Sequence, residues 1–344
     1  IASVAIPDRM KDGYGVNESL ITKAKEDGID TIITCDNGIA ALDAIAYAKE
    51  EGLTVLVTDH HDIPYQEEDG VRSYLRSQAD AIVNPKQKEC GYPFAGICGA
   101  VVAWKVIQAL YEACKIPTEE AMVFLENAAF ATVGDVMDLI DENRIIVKYG
   151  LEQMRHTRNL GLQALIQQKE VQADRLSAYH LGFVLGPCIN ASGRLDTAVR
   201  SLKLLLADQK ESAIILATEL ADLNEERKQM TADGLDAAVE MIQAQALDQQ
   251  KVMVVYLKDL HESPAGIVAG RIRELYHHPV FVLTKAEDGV KGSGRSIETY
   301  SMYEELCKCQ DLFTKFGGHK MAAGLSIPEE KVQEFTERIN ANAT

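Results

Sequence analysis

Three features of the sequence predict an α/β protein in two parts joined by a long helix. The first is a pair of apolar, β-branched runs, Thr31–Thr34 and Thr54–Thr58, separated by a helix-period segment; that order is a βαβ unit and calls for a parallel sheet. The second is a mostly helical stretch from about 96 to 206, in which "ICGAVVAWKVIQALYEAC", "EEAMVFLENAAFATVGDV" and "DRLSAYHLGFVLGP" carry apolar residues at helical spacing. The third is residues 208–250, which lack proline and read as one long or gently broken helix. Beyond it, "KVMVVYL", "PVFVLT", "GVKGSGRSI" and "MAAGLSI" read as short strands interleaved with helices, a second and smaller α/β unit. The expected divisions are 1–207, 208–250 and 251–344.

The 344 residues suffice for two cores. No apolar run is long enough to cross a membrane, and the start has no charged segment followed by an apolar one. The chain opens without Met in what looks like a strand, "IASVAIP", and is therefore expected to be a fragment. Seven scattered cysteines without CxxC spacing suit a reducing cytoplasm. A net charge of −17 argues against wholesale attraction to nucleic acid, so any polyanion must be met by local clusters of Lys and Arg.

The chemistry gathers at strand ends. The first strand ends on Asp36-Asn37-Gly38 and the second on Asp59-His60-His61, and ligands of open α/β sheets bind beyond the carboxyl ends of parallel strands. Asp36 and His60 become neighbours if the strands pair. Asp-Asn-Gly is also good turn chemistry, and each element alone is consistent with a turn or a cap. Asp135, in "ATVGDVMDL", is a further acidic candidate where the helical pattern breaks at Gly134. Carboxylate and imidazole donors suit a divalent ion such as Mn²⁺ or Mg²⁺.

Two glycine-rich segments complete the set. "GSGRSI" is expected to present Ser293, Arg295 and Ser296 in a loop, and "FGGHKMAAG" to present Gly317, Gly318 and His319; either is a phosphate cradle in principle or ordinary hairpin chemistry. Arg194 and Arg9 stand beside small residues in "GPCINASGRLDTA" and "IPDRMKDGYG". His277-His278 has no acidic neighbour in sequence, and Trp104 lies in an apolar helix; both read as structural.

"TCDNG", "TDHH", "ATVGDVMDL", "GPCINASGRLDTA", "GSGRS" and "FGGHKMAAG" occur in the order and approximate spacing of the DHH phosphoesterase superfamily, which the chain resembles over nearly its whole length. "IPDRMKDGYG" and "LNEERK" make it similar to the RecJ-like members, bacterial 5′→3′ exonucleases specific for single-stranded DNA that act in repair and recombination. The resemblance implies a DHH domain, a linker helix and a DHH-associated C-terminal domain. It implies a two-metal site using Mn²⁺ or Mg²⁺, with Asp36 as bridging ligand and His60 and Asp135 as further ligands. His61 would face the scissile phosphate with Asp59 orienting it. Gly317, Gly318 and His319 would hold substrate phosphate, and Arg9, Arg194, Ser293 and Arg295 would gather around the 5′ end of the strand. Single-stranded DNA is the implied partner, with a single-strand-binding protein and a helicase beside it. The resemblance also implies an Asp-x-Asp pair on a strand before "IPDR" and a β-barrel after the last helix. Neither lies in this stretch, which is expected not to hold both metals by itself. Competing expectations are a phosphoesterase of small molecules or short oligoribonucleotides, and an inactive scaffold.

Overall fold

A computed structural model describes residues 2–7, 15–68, 71–286 and 288–343. The chain divides into two compact units, Ile1–Asp222 and Leu223–Thr344, and the division falls inside one long helix.

The first unit begins with α1 (Glu18–Glu26), capped by Asn17, whose side chain accepts from the Leu20 amide. The βαβ unit follows as β1 (Thr31–Cys35), α2 (Leu42–Glu50) and β2 (Thr54–Thr58). β1 and β2 pair in parallel, Thr31 opposite Thr54 and Cys35 opposite Thr58, so both strands finish at one level. A hairpin of β3 (Tyr65–Glu68) and β4 (Val71–Tyr74) precedes β5 (Ala81–Val83), which extends the parallel sheet to the order β1-β2-β5. Ile21, Ile45, Ala48, Leu53, Val55 and Val57 form the core on the helix-covered face. The apolar run at the chain start forms no strand over Ala2–Pro7, and among the described residues β1 is an edge strand with Ile33 exposed. The expected first strand is therefore not observed: an apolar pattern by itself does not make a strand, and residues 2–7 do not pair with the free edge of β1.

The helical half comprises α3 (Gly99–Ala113), α4 (Leu125–Gly134), α5 (Asp141–Met154) and α6 (Leu160–Gln168). Val101, Val102, Trp104, Leu125, Ala128 and Ile146 fill its centre, and Trp104 Nε1 donates to the Ala121 carbonyl at 2.8 Å, so the indole is a core residue. A further helical run starts at α7 (Ala178–His180), passes through a π-helical turn at Leu181–Leu185 and continues as α8 (Gly186–Leu195). α9 (Val199–Leu205) and α10 (Lys210–Gln245) follow.

The second unit holds β6 (Met253–Leu257), α11 (Glu262–Tyr276), β7 (Val280–Ala286), β8 (Gly289–Arg295), α12 (Met302–Cys307), β9 (Lys315–Gly318), β10 (Ala322–Ile327) and α13 (Val332–Asn342). Its sheet has the order β6-β7-β8-β10-β9, parallel between β6 and β7 and antiparallel elsewhere. Phe281, Leu283, Met302, Leu306, Phe335 and Ile339 pack on one face, and Val255, Val280, Val282, Val268 and Ile272 on the other. Burial on both faces explains why "VVY" and "VFVL" read as continuous apolar runs without alternation. Among the described residues no helix is long and apolar enough to cross a membrane.

Candidate metal centre

The end of β1 is built around a left-handed residue. Asp36 extends the ladder through its amide, which donates to the Thr58 carbonyl at 3.0 Å, and then turns with φ +64°. Aspartate is among the few residues that tolerate this region. Gly38 follows at φ +106°, and a Cβ there would meet Thr34 Oγ1 at 2.9 Å, so glycine is required for the chain to fold back under the strand.

β2 delivers the other half. Asp59 is 1% exposed and its carboxylate accepts the Ile39 amide at 3.0 Å, the His60 amide at 2.8 Å, the His61 amide at 3.2 Å and His61 Nδ1 at 2.7 Å. Burial alone would raise this carboxyl, but the surrounding donors outweigh it and hold it below the usual range. Asp59 therefore fixes the backbone of both histidines and one ring. Because an ionised carboxylate cannot donate, His61 carries hydrogen on Nδ1 and directs Nε2 outward from a side chain that is 59% exposed.

His60 points the other way, into a buried position. Its Nε2 lies 3.0 Å from Asp36 Oδ1 and 3.4 Å from Asp135 Oδ2, with Asp135 supplied by the C-cap of α4. The contact with Asp36, together with the nearby charges of Asp135 and Asp59, raises the proton affinity of His60 against the opposing effect of burial. Although the Asp36 distance is short, neither ring nitrogen of His60 has a partner in hydrogen-bond direction. We read the contact as an ion-pair proximity, because the angle fails where the distance does not. Burial raises the Asp135 carboxyl, His60 pulls it down and Asp36 pushes it up again. Donor atoms of Asp36, His60 and His61 all lie within 4.8 Å of one another. Buried imidazole nitrogens without hydrogen bonds, facing carboxylates across a gap, are what a divalent ion with O and N ligands requires.

Two contributors were not singled out in the sequence. Gly99 opens α3 directly beneath Asp36, where a Cβ would stand 2.3 Å from Oδ1. The positive end of α3 thus abuts the carboxylate. Its signal was a Cys-Gly helix start, with Cys98 at the N-cap position that ordinarily carries Ser, Thr, Asp or Asn. Asn84, 2% exposed, donates to the His61 carbonyl at 2.9 Å and holds the chain beyond the histidine pair.

In the second unit Ser293 and Arg295 do not occupy the expected loop. They lie in β8 on the face toward α11, while Gly292 and Gly294 face the core. A Cβ at Gly294 would meet Met302 Sδ at 2.2 Å and one at Gly292 Leu283 Cδ2 at 2.5 Å, so these glycines serve packing rather than a phosphate loop. A Cβ at Gly266 of α11 would be 3.0 Å from Arg295 Nη2 and 3.5 Å from Ser293 Oγ. Arg295 donates to the Gly294 carbonyl at 2.8 Å and, among the described residues, pairs with no carboxylate. Burial and then neighbouring Arg273, a residue the sequence reading did not select, lower its proton affinity. Ser296, expected in a phosphate-binding loop, is instead wholly buried, and its hydroxyl donates to the Tyr300 carbonyl at 2.7 Å, leaving nothing to offer a substrate. Gly317 and Gly318 belong to β9, and the exposed His319 begins the turn to β10 with its amide on the Ala322 carbonyl at 2.7 Å, which is hairpin chemistry. Arg194 sits half-buried in the last turn of α8. Arg9 lies outside the described residues. His277 is the left-handed C-cap of α11 and His278 Nδ1 contacts the Tyr276 carbonyl, so that pair is structural.

Residues 2–133 match the DHH family N-terminal domain, and residues 249–344 match the DHHA1 domain. A solved structure, exonuclease RecJ bound to manganese, is 30% identical with a TM-score of 0.83, covering 98% of this chain and 81% of that one. The chain belongs to the RecJ family. Among curated RecJ relatives, named single-stranded-DNA-specific exonucleases, that of Bacillus subtilis is 40% identical over 97% of this chain and 41% of its own length. That of Salmonella typhimurium is 35% identical over 99% and 61% respectively. RecJ of Thermus thermophilus in complex with Mn²⁺ matches with a TM-score of 0.78 and 30% identity, over 94% of this chain and 46% of that one. The chain thus spans about half the length of the curated RecJ proteins it matches.

Proposed function

We propose that this chain forms the DHH and DHHA1 part of a metal-dependent exonuclease that hydrolyses phosphodiester bonds of single-stranded DNA from the 5′ end, in repair and recombination. The observation that carries the reading is the convergence of Asp36, His60 and Asp135 beside a histidine held outward by a buried aspartate. Asp36, His60 and Asp135 would hold Mn²⁺ or Mg²⁺, which when bound polarises the phosphoryl group and lowers the pKa of water. His61, fixed through Nδ1 by Asp59, presents Nε2 to a phosphate oxygen; in its protonated form it stabilises the charge that develops there. In the second unit Ser293 and the guanidinium of Arg295 would take a terminal phosphate, because a half-buried cation beside another cation, with no carboxylate partner among the described residues, lacks a counter-ion of its own. A substrate that must be single-stranded makes a helicase and a single-strand-binding protein the partner classes. Seven cysteines, none of them in a disulfide among the described residues, accord with the cytoplasm.

The test is Mn²⁺ titration of the full-length protein, read by the paramagnetic resonance of the free ion, beside hydrolysis of a 5′-labelled single strand. Asp36→Ala should weaken ion binding and hydrolysis by more than about a hundred-fold, since loss of a direct ligand exceeds the 10–100-fold effect of outer partners. Unchanged Mn²⁺ affinity would remove Asp36 from the site.

A further inference from the structure

The helical run from α7 through α8 carries a feature that the metal centre does not use. Tyr179 is 63% exposed and Phe183 71% exposed, and their rings stack on each other at 5.2 Å with 28° between planes. His180 packs edge-on against Tyr179 at 5.8 Å, and its Nδ1 is fixed by the Ser177 hydroxyl at 2.9 Å and lies 3.2 Å from the Ser177 amide. The π-helical turn at Leu181–Leu185 directs this segment, and such turns concentrate at functional sites. Gly182, inside the turn, rests on the last turn of α4: a Cβ there would lie 3.4 Å from Val133 Cγ1, two residues before Asp135. The aromatic pair therefore flanks the element that supplies a metal-facing carboxylate.

The segment continues as α8 to exposed Asn190 and to Arg194 in its last turn. Residues 176–195 contain no Asp or Glu, although the chain has 52. Two open rings on a segment that carries no carboxylate of its own suit the bases of a single strand, and an acidic chain meets a polyanion only where its own carboxylates are sparse.

We propose that Tyr179 and Phe183 form a stacking platform for a nucleobase of the single strand as it approaches the metal centre. This rests on the exonuclease reading above. The open face of Phe183 receives the base, Tyr179 backs it, and the contact tolerates any base because every base has a π face.

The experiment uses full-length protein and a series of single strands, each with one abasic position. In the wild type one position near the 5′ end should show a KM raised about ten-fold, within the range for loss of one base–aromatic stack. Phe183→Ala should show that raised KM on the intact strand, no further loss at that position, and a kcat within about two-fold of wild type. Phe183→Leu keeps apolar bulk without the ring; it should retain the melting temperature and behave as the alanine variant does. A flat scan in an active wild type overturns the platform alone, as does a position-specific loss that persists in Phe183→Ala. A change of oligomeric state in Phe183→Ala with unaltered KM would assign the face to a protein partner instead. A wild type without metal-dependent strand hydrolysis overturns the underlying reading, independently of Phe183.

Discussion

The two units put polar groups to use in opposite ways. In the first, donors project beyond the carboxyl ends of parallel strands and face one another across a gap, with the His60 ring nitrogens lacking any directed hydrogen bond. In the second, Ser293 and Arg295 stand on the face of an antiparallel strand under α11, while the alternate glycines admit Phe281 and Met302 to the core. Parallel strands in register finish at one level, so their end residues converge from distant sequence; a strand face collects every second residue of one segment. The first arrangement gathers carboxylates around an imidazole, and the second leaves a guanidinium without a carboxylate partner among the described residues.

The comparison breaks most readily at Arg295. Arg295→Ala in the full-length protein should lower kcat/KM for 5′-phosphorylated strands about ten- to hundred-fold, the worth of a charged hydrogen bond of about 1.5–3 kcal/mol, and should leave 5′-hydroxyl strands and Mn²⁺ affinity much less affected. Equal losses on both strands would deny the anion role.

Gly294→Ala tests whether the glycines of β8 serve the core. Its Cβ would collide with Met302 and Phe281, and overpacking of this kind costs about 1–3 kcal/mol. Denaturant unfolding should register that loss with Mn²⁺ affinity intact. A stable variant deficient in phosphate binding would restore the phosphate-loop reading.

Gly99→Ala addresses the first unit in the same way, with the opposite expectation. The new methyl group displaces Asp36, so Mn²⁺ affinity should fall about ten-fold, as for outer partners of a metal ligand. An unchanged titration curve would show that Asp36 has room to move.

The smallest effect concerns Glu126, 5% exposed in α4, where burial raises the carboxyl and the Thr157 hydroxyl, 2.8 Å away, only partly offsets it. A raised folded-state pKa means that stability is fully present below the unfolded value and declines as pH rises through the folded one. Glu126→Gln should remove that decline and raise the melting temperature near neutral pH by about 2–4 °C, for a change of about 1 kcal/mol. A melting curve with the same pH dependence as wild type would show that Glu126 ionises freely.

Much of this was determined by sequence. Periodicity located β1, α2, β2 and the long helix, because the repeats of 2 and 3.6 follow from backbone geometry that each segment carries by itself. The strand-end positions of Asp36, Asp59 and His60 followed from the same pattern. Tertiary structure decided what depends on neighbours. It left Ala2–Pro7 without a partner strand, buried Ser296 against a carbonyl, and turned the glycines of "GSGRS" toward aromatic and thioether side chains rather than a ligand. It also brought Gly99 under Asp36, separated by more than sixty positions in the chain, and set the turn that carries Phe183 against the end of α4. Local pattern reports which way a side chain points relative to its own segment; what it meets there is fixed only when another segment packs against it.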